Sequence, residues 1–472
     1  MENMKRELAL SDTIVALSTP MGKGALAVIR VSGRDAFVTI SSCFRGLTGR
    51  LGRGDPLNEG KTVTEGELKS RKRLFGIIFD QGRIIDEVIL YPYPAPHSYT
   101  GEDVLEISCH CNPFIIREII QLILRNARLA RPGEFTRRAF YNNRIDLTRA
   151  EAVGDLLNAR TEYSHRAALS QLEGSLYKKI ATFLEELTSY RIELELEIDF
   201  SEQDLPELDS ARLRDNLQRL RHELERLLAT GKEGLIIREG LKVTLVGAPN
   251  VGKSSLFNYL LESERAIVTP IPGTTRDYLE ESLSINGYLV RLFDTAGLRD
   301  STEEVESLGI ARTNELIDRA DRIIYMEDGE QESIDYRKQS LTGANSRLIR
   351  ILNKADLLAE EKIDEYRREG FIIISVRTGR GIDELKRELT GELKLDDARI
   401  EDGILSNLRQ IEAVETCLKS IKNALNSLDE EFGYEFTAFD LKVASSALEE
   451  IIGKITNDDM LDRIFAGFCI GK

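Results

Sequence analysis

The chain has 472 residues, 42% hydrophobic and 31% charged, too many for one compact core, and reads as about three domains of a globular protein. A formal net charge of −16 argues against general adhesion to nucleic acid over the whole surface. The five cysteines, at 43, 109, 111, 417 and 469, give neither an even disulfide framework nor a pair of CxxC knuckles, so a reducing, cytoplasmic setting is expected rather than secretion.

The opening segment, "MENMKRELALSDTIVALSTP", lacks the apolar core of a signal peptide, and no apolar run approaches the ~20 residues that cross a bilayer. No membrane partner is expected. Residues 1–127 read as an α+β domain. Its β runs are "TIVAL", "ALAVIRVSG", "RLFGIIF", "IDEVILYPYPAPHSYTG" and "DVLEISCH", followed by a helix at "FIIREIIQLILRNAR". The Pro-Tyr-Pro-Ala-Pro cluster is not expected in a central strand. Cys109-His110-Cys111 lacks partners at metal-ligand spacing.

Between Arg128 and Arg149 the chain carries arginines at 128, 131, 137, 138, 144 and 149 against only Glu134 and Asp146. This is either a solvated basic face or a grip for an anionic ligand or RNA phosphates. Residues 128–236 form the first part of a helical domain, with Leu213, Leu217, Leu220, Leu224 and Leu227 as an apolar seam. Over 237–392 strand and helix alternate, the pattern of a parallel-sheet α/β domain. Helix returns over 393–472, with a seam through Ile404, Leu408, Ile411, Val414, Leu418, Ile421, Leu425 and Leu428 and a last helix over 437–455. Neither helical part can bury its seam alone, so the two are expected to pack together around the inserted α/β domain. The fold class expected is multidomain α/β.

"GAPNVGKS" (247–254) matches GxxxxGK[ST] between an expected strand and helix. The backbone of such a loop, here Asn250, Val251, Gly252, Lys253, Ser254 and Ser255, holds phosphates; Lys253 reaches the β/γ oxygens and Ser254 ligates Mg²⁺. "DTAG", Asp294, Thr295, Ala296 and Gly297, supplies an acid for the metal through water and an N–H for the γ-phosphate. In "NKAD", Asn353, Lys354, Ala355 and Asp356, the Asp356 carboxylate accepts from the N1–H and 2-amino groups of guanine, which adenine lacks. Ser375, Val376 and Arg377 border the base. Between the first two motifs, "IPGTTRD" sits where a first switch belongs, with Thr275 as the second Mg²⁺ hydroxyl. Leu298 stands where Ras-like GTPases place the water-orienting glutamine, so another group must take that role. The motifs point to GTP hydrolysis on a Ras-like P-loop domain.

Taken together, "RPGEFTRRAFYNNRIDLTRAEAV", "GAPNVGKSSLFN", "GTTRD", "DTAGLR" and the terminal "CIGK" resemble the MnmE (TrmE) family along essentially the whole chain. The resemblance implies a GTPase that modifies C5 of the tRNA wobble uridine (cmnm5U or nm5U type), a homodimer working with an FAD-dependent MnmG-type partner. It implies potassium-dependent pairing of the GTPase domains, with Asn250, Thr269, Ile271 and Thr274 around the ion, and Glu306 as the acid that helps to position water. It also implies a tetrahydrofolate one-carbon donor, 5-formyl or 5,10-methylene, on an N-terminal folate-binding-like and dimerisation domain. Arg30, Glu106, Arg144 and Lys472 fall on the family's folate contacts. Position 144 is usually lysine there, and "CHCNP" stands where the family has a histidine and two glycines. Cys469 is then delivered to the folate site as an acid/base or nucleophile. A ribosome-assembly GTPase gripping rRNA would explain the basic stretch but not Cys469 or Glu106. A non-catalytic folate-binding scaffold would leave the GTPase motifs unused.

Overall fold

The computed structural model describes residues 12–47, 61–199, 208–264, 280–294, 315–328, 347–391, 393, 397–430 and 433–472. The chain divides into two compact units, residues 1–154 with 452–472, and residues 155–451.

The first unit is built on an eight-stranded sheet. Its strands are β1 (Ile14–Leu17), β2 (Leu26–Ser32), β3 (Phe44–Gly46), β4 (Lys61–Thr62), β5 (Leu74–Asp80), β6 (Arg83–Tyr93), β7 (Val104–His110) and β8 (Arg128–Leu129), in the order β4-β3-β5-β6-β7-β2-β1-β8. All neighbours are antiparallel except β1 and β8. Period-two alternation sends Ile29, Val31, Leu90, Leu105 and Ile107 to one face. There they meet Ile116, Ile119 and Ile123 of the helix Pro113–Ile123. That helix starts where Asn112 accepts the Phe114 N–H at 2.9 Å, so the asparagine serves as its N-cap.

The proline expectation is corrected. Pro92 lies within β6, a strand in the middle of the sheet, opposite Leu105 of β7. The physical reason is that β5 begins only at Leu74, opposite Leu90, so beyond Leu90 β6 is paired on one side and the missing N–H costs no ladder bond.

In the second unit, helices Glu162–Glu173, Ser175–Asp199, Ser210–Ala229 and Gly231–Glu239 precede the α/β portion, and Leu408–Asp429 follows it. The five leucines of the first seam are all buried, worth about 2 kcal/mol each against exposure. The two helical parts meet at the loop before residue 408. Gln171 Nε2 donates to the Ile404 carbonyl at 3.0 Å, Ser170 Oγ to the Ile400 carbonyl at 2.9 Å, and the Leu405 N–H to Thr230 Oγ1 at 3.1 Å. Of the second seam, Ile404, Val414, Ile421, Leu425 and Leu428 are buried as expected, with Ala413, Cys417 and Ala424 beside them, whereas Leu408 is 59% exposed. The helix expected over 437–455 runs over Tyr434–Ile452, and a further helix that the sequence reading did not include follows at Asp458–Ala466. Gly453, at φ +84°, ends the first, and Asn457 caps the second by accepting from Met460 at 2.7 Å.

The α/β portion is a six-stranded sheet of β9 (Leu241–Gly247), β10 (Glu280–Ile285), β11 (Tyr288–Asp294), β12 (Arg322–Glu327), β13 (Leu348–Leu352) and β14 (Ile372–Ile373). The order is β10-β11-β9-β12-β13-β14, parallel except for β10 against β11. Val243, Leu245, Ile324, Met326 and Ile351 pack on one face and Val246, Ile323, Tyr325 and Leu352 on the other, so the strands read as near-continuous apolar runs with both faces covered. The fold is multidomain α/β with helical and P-loop portions.

Candidate functional site

β9 drives straight into the Gly-rich turn, and the helix Lys253–Glu264 starts at its end, so its N-terminal N–H groups and dipole face the loop. Asn250 holds φ +63°, a left-handed value that asparagine tolerates better than most residues. Lys253 is buried, with Nζ donating to the carbonyls of Gly247 at 2.9 Å and Ala248 at 2.8 Å.

The guanine-side motifs close onto this loop. Asn353, at the end of β13, donates from Nδ2 to the Val251 carbonyl at 2.9 Å and accepts the Val376 N–H on Oδ1 at 3.2 Å. One amide thus ties the phosphate loop to the segment beside the base. A Cβ at Gly252 would collide with the Asn353 amide, so these motifs are fitted to each other. Lys354 sits at φ +57° with Nζ on Asp328 Oδ2 at 2.8 Å, an ion pair in which Asp328 is buried. Asp356 is exposed, and its Oδ1 accepts the Ser375 hydroxyl at 2.6 Å. That bond holds its carboxyl below the usual aspartate range and keeps it ionised as an acceptor. β11 ends at Asp294, in register with Leu245 on the strand that feeds the loop. Thr269, Ile271, Thr274, Thr275, Thr295, Ala296, Gly297, Leu298 and Glu306 lie outside the described residues.

A second cluster forms in the first unit, where β2, β7 and the 469–472 tail converge. Arg30 sends Nε and Nη2 to Glu106 Oε1 at 2.9 and 2.8 Å, and Nη1 to the Gly471 carbonyl at 3.2 Å. Its guanidinium lies 5.6 Å from the ring centres of both Tyr99 and Phe135. Ser18 Oγ donates to the same Gly471 carbonyl at 3.3 Å, and the Gly133 N–H to the Cys469 carbonyl at 3.4 Å. Gly471 takes φ +98°, and a Cβ there would collide with the Leu17 carbonyl oxygen. Lys472 is half-buried; burial first, then the Arg30 charge, pushes its ammonium below the ordinary lysine value. Two cations therefore face one carboxylate, which favours an anionic or hydrogen-bond-rich ligand. Cys469 is exposed on the tail. Arg144 packs beside Gly101 and is exposed, with no ion pair to the Arg30 and Glu106 side chains.

The arginine-rich stretch is mostly occupied within the unit. Arg138 is 1% exposed and bonds Asp12, Glu102 and Glu134; Arg128 pairs with Asp12 and Glu134. Arg137 pairs with Asp458 and Asp462, and Arg149 with Asp146. The sequence reading missed Ser18, Tyr99, Phe135 and Asp328, which carry no motif of their own. Cys109 is buried, with its thiol pushed up to about 12, and His110 Nδ1 meets Asp86 at 2.7 Å. Among the described residues no group of three or more His, Cys, Asp or Glu is placed so as to hold a metal ion, and no helix is long and apolar enough to cross a membrane.

A model of the MnmE helical domain matches residues 147–469, and one of the GTP-binding protein TrmE N-terminus matches residues 13–144. Among curated relatives, the tRNA modification GTPase MnmE of Aquifex aeolicus is 39% identical over 472 aligned residues, 98% of this chain and 100% of the relative. That of Moorella thermoacetica is 41% identical over 479, with 98% and 100% covered. That of Syntrophus aciditrophicus is 41% identical over 473, again 98% and 100%.

Proposed function

The chain belongs to the family of MnmE tRNA modification GTPases, and from that premise we propose a division of labour between its two clusters. It is a GTP hydrolase that takes part in tRNA modification. The observation that carries the GTP reading is the single amide of Asn353, bonded at once to the phosphate loop and to the base-side segment.

In the GTPase cluster Lys253 exchanges its two loop carbonyls for the β/γ-phosphate oxygens, and Asp356, steadied by Ser375, takes the guanine N–H edge. Ser254, Thr275 and Asp294 are the residues that would hold Mg²⁺, which supplies charge neutralisation on the phosphates. Asn250 with Thr269, Ile271 and Thr274 would hold K⁺, supplying the positive charge that other GTPases bring as arginine. Glu306 orients water in place of the glutamine that Leu298 replaces.

In the first unit Glu106, held by Arg30, accepts from the N–H edge of a pterin, with the Lys472 ammonium beside them. Tetrahydrofolate, when bound, supplies the one-carbon unit. Cys469 stands on the tail beside Lys472 as the acid/base or nucleophile toward the uridine adduct. The product is a C5-substituted wobble uridine, formed in the cytoplasm by a homodimer together with an FAD-dependent MnmG-type protein. An rRNA-gripping alternative is disfavoured because four arginines of the 128–149 stretch are engaged with carboxylates of their own unit.

Two measurements test this reading. In a strain lacking its own copy, the wild-type chain restores the wobble nucleoside by mass spectrometry; no restoration by an expressed, GTP-hydrolysing chain overturns the modification reading. Cys469→Ser abolishes restoration if the thiol is chemical; unchanged modification leaves the tail only positional. Purified chain hydrolyses GTP faster in potassium than in sodium at matched ionic strength, and Asn250→Ala loses the difference. Equal rates in both salts remove the potassium role.

A further inference from the structure

Many basic side chains of the first unit, among them Arg30, Arg83, Arg125, Arg128, Arg137 and Arg138, pair with carboxylates of the same unit, whereas one short segment sets three exposed cations without such a pair side by side. The turn between the helix Glu65–Leu68 and β5 reads Lys69-Ser70-Arg71-Lys72-Arg73. Lys69 pairs with Glu65, and nearby Lys61 pairs with Glu67, so the two acids of that helix are already taken. Arg71, Lys72 and Arg73 are all exposed, and no described carboxylate bonds any of them. In a chain of net charge −16 this is a local surplus of three positive charges on consecutive residues.

The sheet register gives the turn an address. Arg30 faces Glu106 across β2 and β7, and Glu106 faces Tyr91 across β7 and β6. Leu74 is opposite Leu90, so the residue just before β5, Arg73, comes next in the row that holds Arg30, Glu106 and Tyr91. Three strand spacings separate the ends of that row, about 14 Å, the reach of a few nucleotides. Period-two alternation puts Phe75, 41% exposed, and Tyr93, 40% exposed, on the same face as Tyr91. Exposed rings beside unpaired cations make a surface that stacks bases and grips a phosphate backbone.

We propose that the Arg71–Arg73 turn, with Phe75 and Tyr93 on the adjoining sheet face, binds the single-stranded loop of the substrate tRNA a few nucleotides from the base presented to Arg30, Glu106 and Cys469. The inference rests on the reading of this unit as the modification site and adds to it the strand's contact surface. Duplex RNA fits less well, because its bases are stacked away from such rings.

The test is fluorescence anisotropy of a labelled anticodon-type stem–loop RNA on the full-length chain, between about 50 and 200 mM salt. Arg71→Ala/Lys72→Ala/Arg73→Ala should bind at least about tenfold more weakly, and its slope of log affinity on log salt should shrink by about 2. Phe75→Ala/Tyr93→Ala should lose affinity without changing that slope. Lys419→Ala/Lys422→Ala, a basic pair in the other unit, should bind as the wild type does. Unchanged GTP hydrolysis and an unchanged thermal transition show that the variants are folded. Wild-type affinity and slope in the triple variant overturn the proposal, as does a wild-type chain that binds no RNA at about 50 mM salt. Failure of the modification reading is seen separately, in the wobble nucleoside of the complemented strain. RNA binding lost equally in the Lys419/Lys422 variant would assign the contact to general charge and also overturn it.

Discussion

Gly471 shows how much one missing Cβ controls. Its carbonyl is the shared acceptor of Arg30 and Ser18, and its φ of +98° lets the tail run against the Leu17 carbonyl. An alanine there adds both backbone strain, of order 1–2 kcal/mol, and a collision with backbone that cannot rotate away. Gly471→Ala should therefore cut tRNA modification at least about tenfold, a displacement worth about 1.4 kcal/mol or more, with GTP hydrolysis unchanged. Nucleoside mass spectrometry beside a phosphate-release assay checks this, and full modification in the variant would show that the tail needs no such seat. Arg30, Glu106 and Lys472 were legible in the sequence through the family resemblance. Ser18, Tyr99 and Phe135 were not, because a serine after a strand, or an aromatic in a loop, signals nothing until β2, β7 and the tail come together.

At the level of elements, helix and strand types followed from periodicity, whereas boundaries followed from contacts that periodicity does not see. The second apolar seam was read through Leu408, yet that side chain faces out because the preceding loop is held by Gln171 and Thr230. β6 runs through Pro92 because its neighbour stops short, a fact of register rather than propensity. The same loop makes a specific demand on the helix Gly231–Glu239: a Cβ at Gly234 would run into the Leu405 carbonyl oxygen. Overpacking against fixed backbone costs about 1–3 kcal/mol. Gly234→Ala should lower the calorimetric transition of the chain by several degrees, and an unchanged transition would mean that the 404–406 segment moves aside freely.

For the molecule as a whole, a charge of −16 and an arginine-rich stretch looked contradictory in the sequence. The structure resolves this by pairing Arg128, Arg137, Arg138 and Arg149 internally, leaving unpaired cations at a turn that no motif marked. The GTPase motifs within the described residues were legible because each is local, and three of them are joined through Asn353. The central claim is that this junction reads guanine and hydrolyses its triphosphate. It is tested most directly by comparing GTP and XTP hydrolysis by the wild-type chain and Asp356→Asn. An asparagine at 356 offers the 2-oxo group of xanthine an N–H and denies guanine its carboxylate. The variant should lose kcat/KM for GTP by about 10²-fold or more and gain XTP hydrolysis, with Lys253→Ala inactive on both nucleotides. GTP hydrolysis by Asp356→Asn at the wild-type kcat/KM would contradict the account.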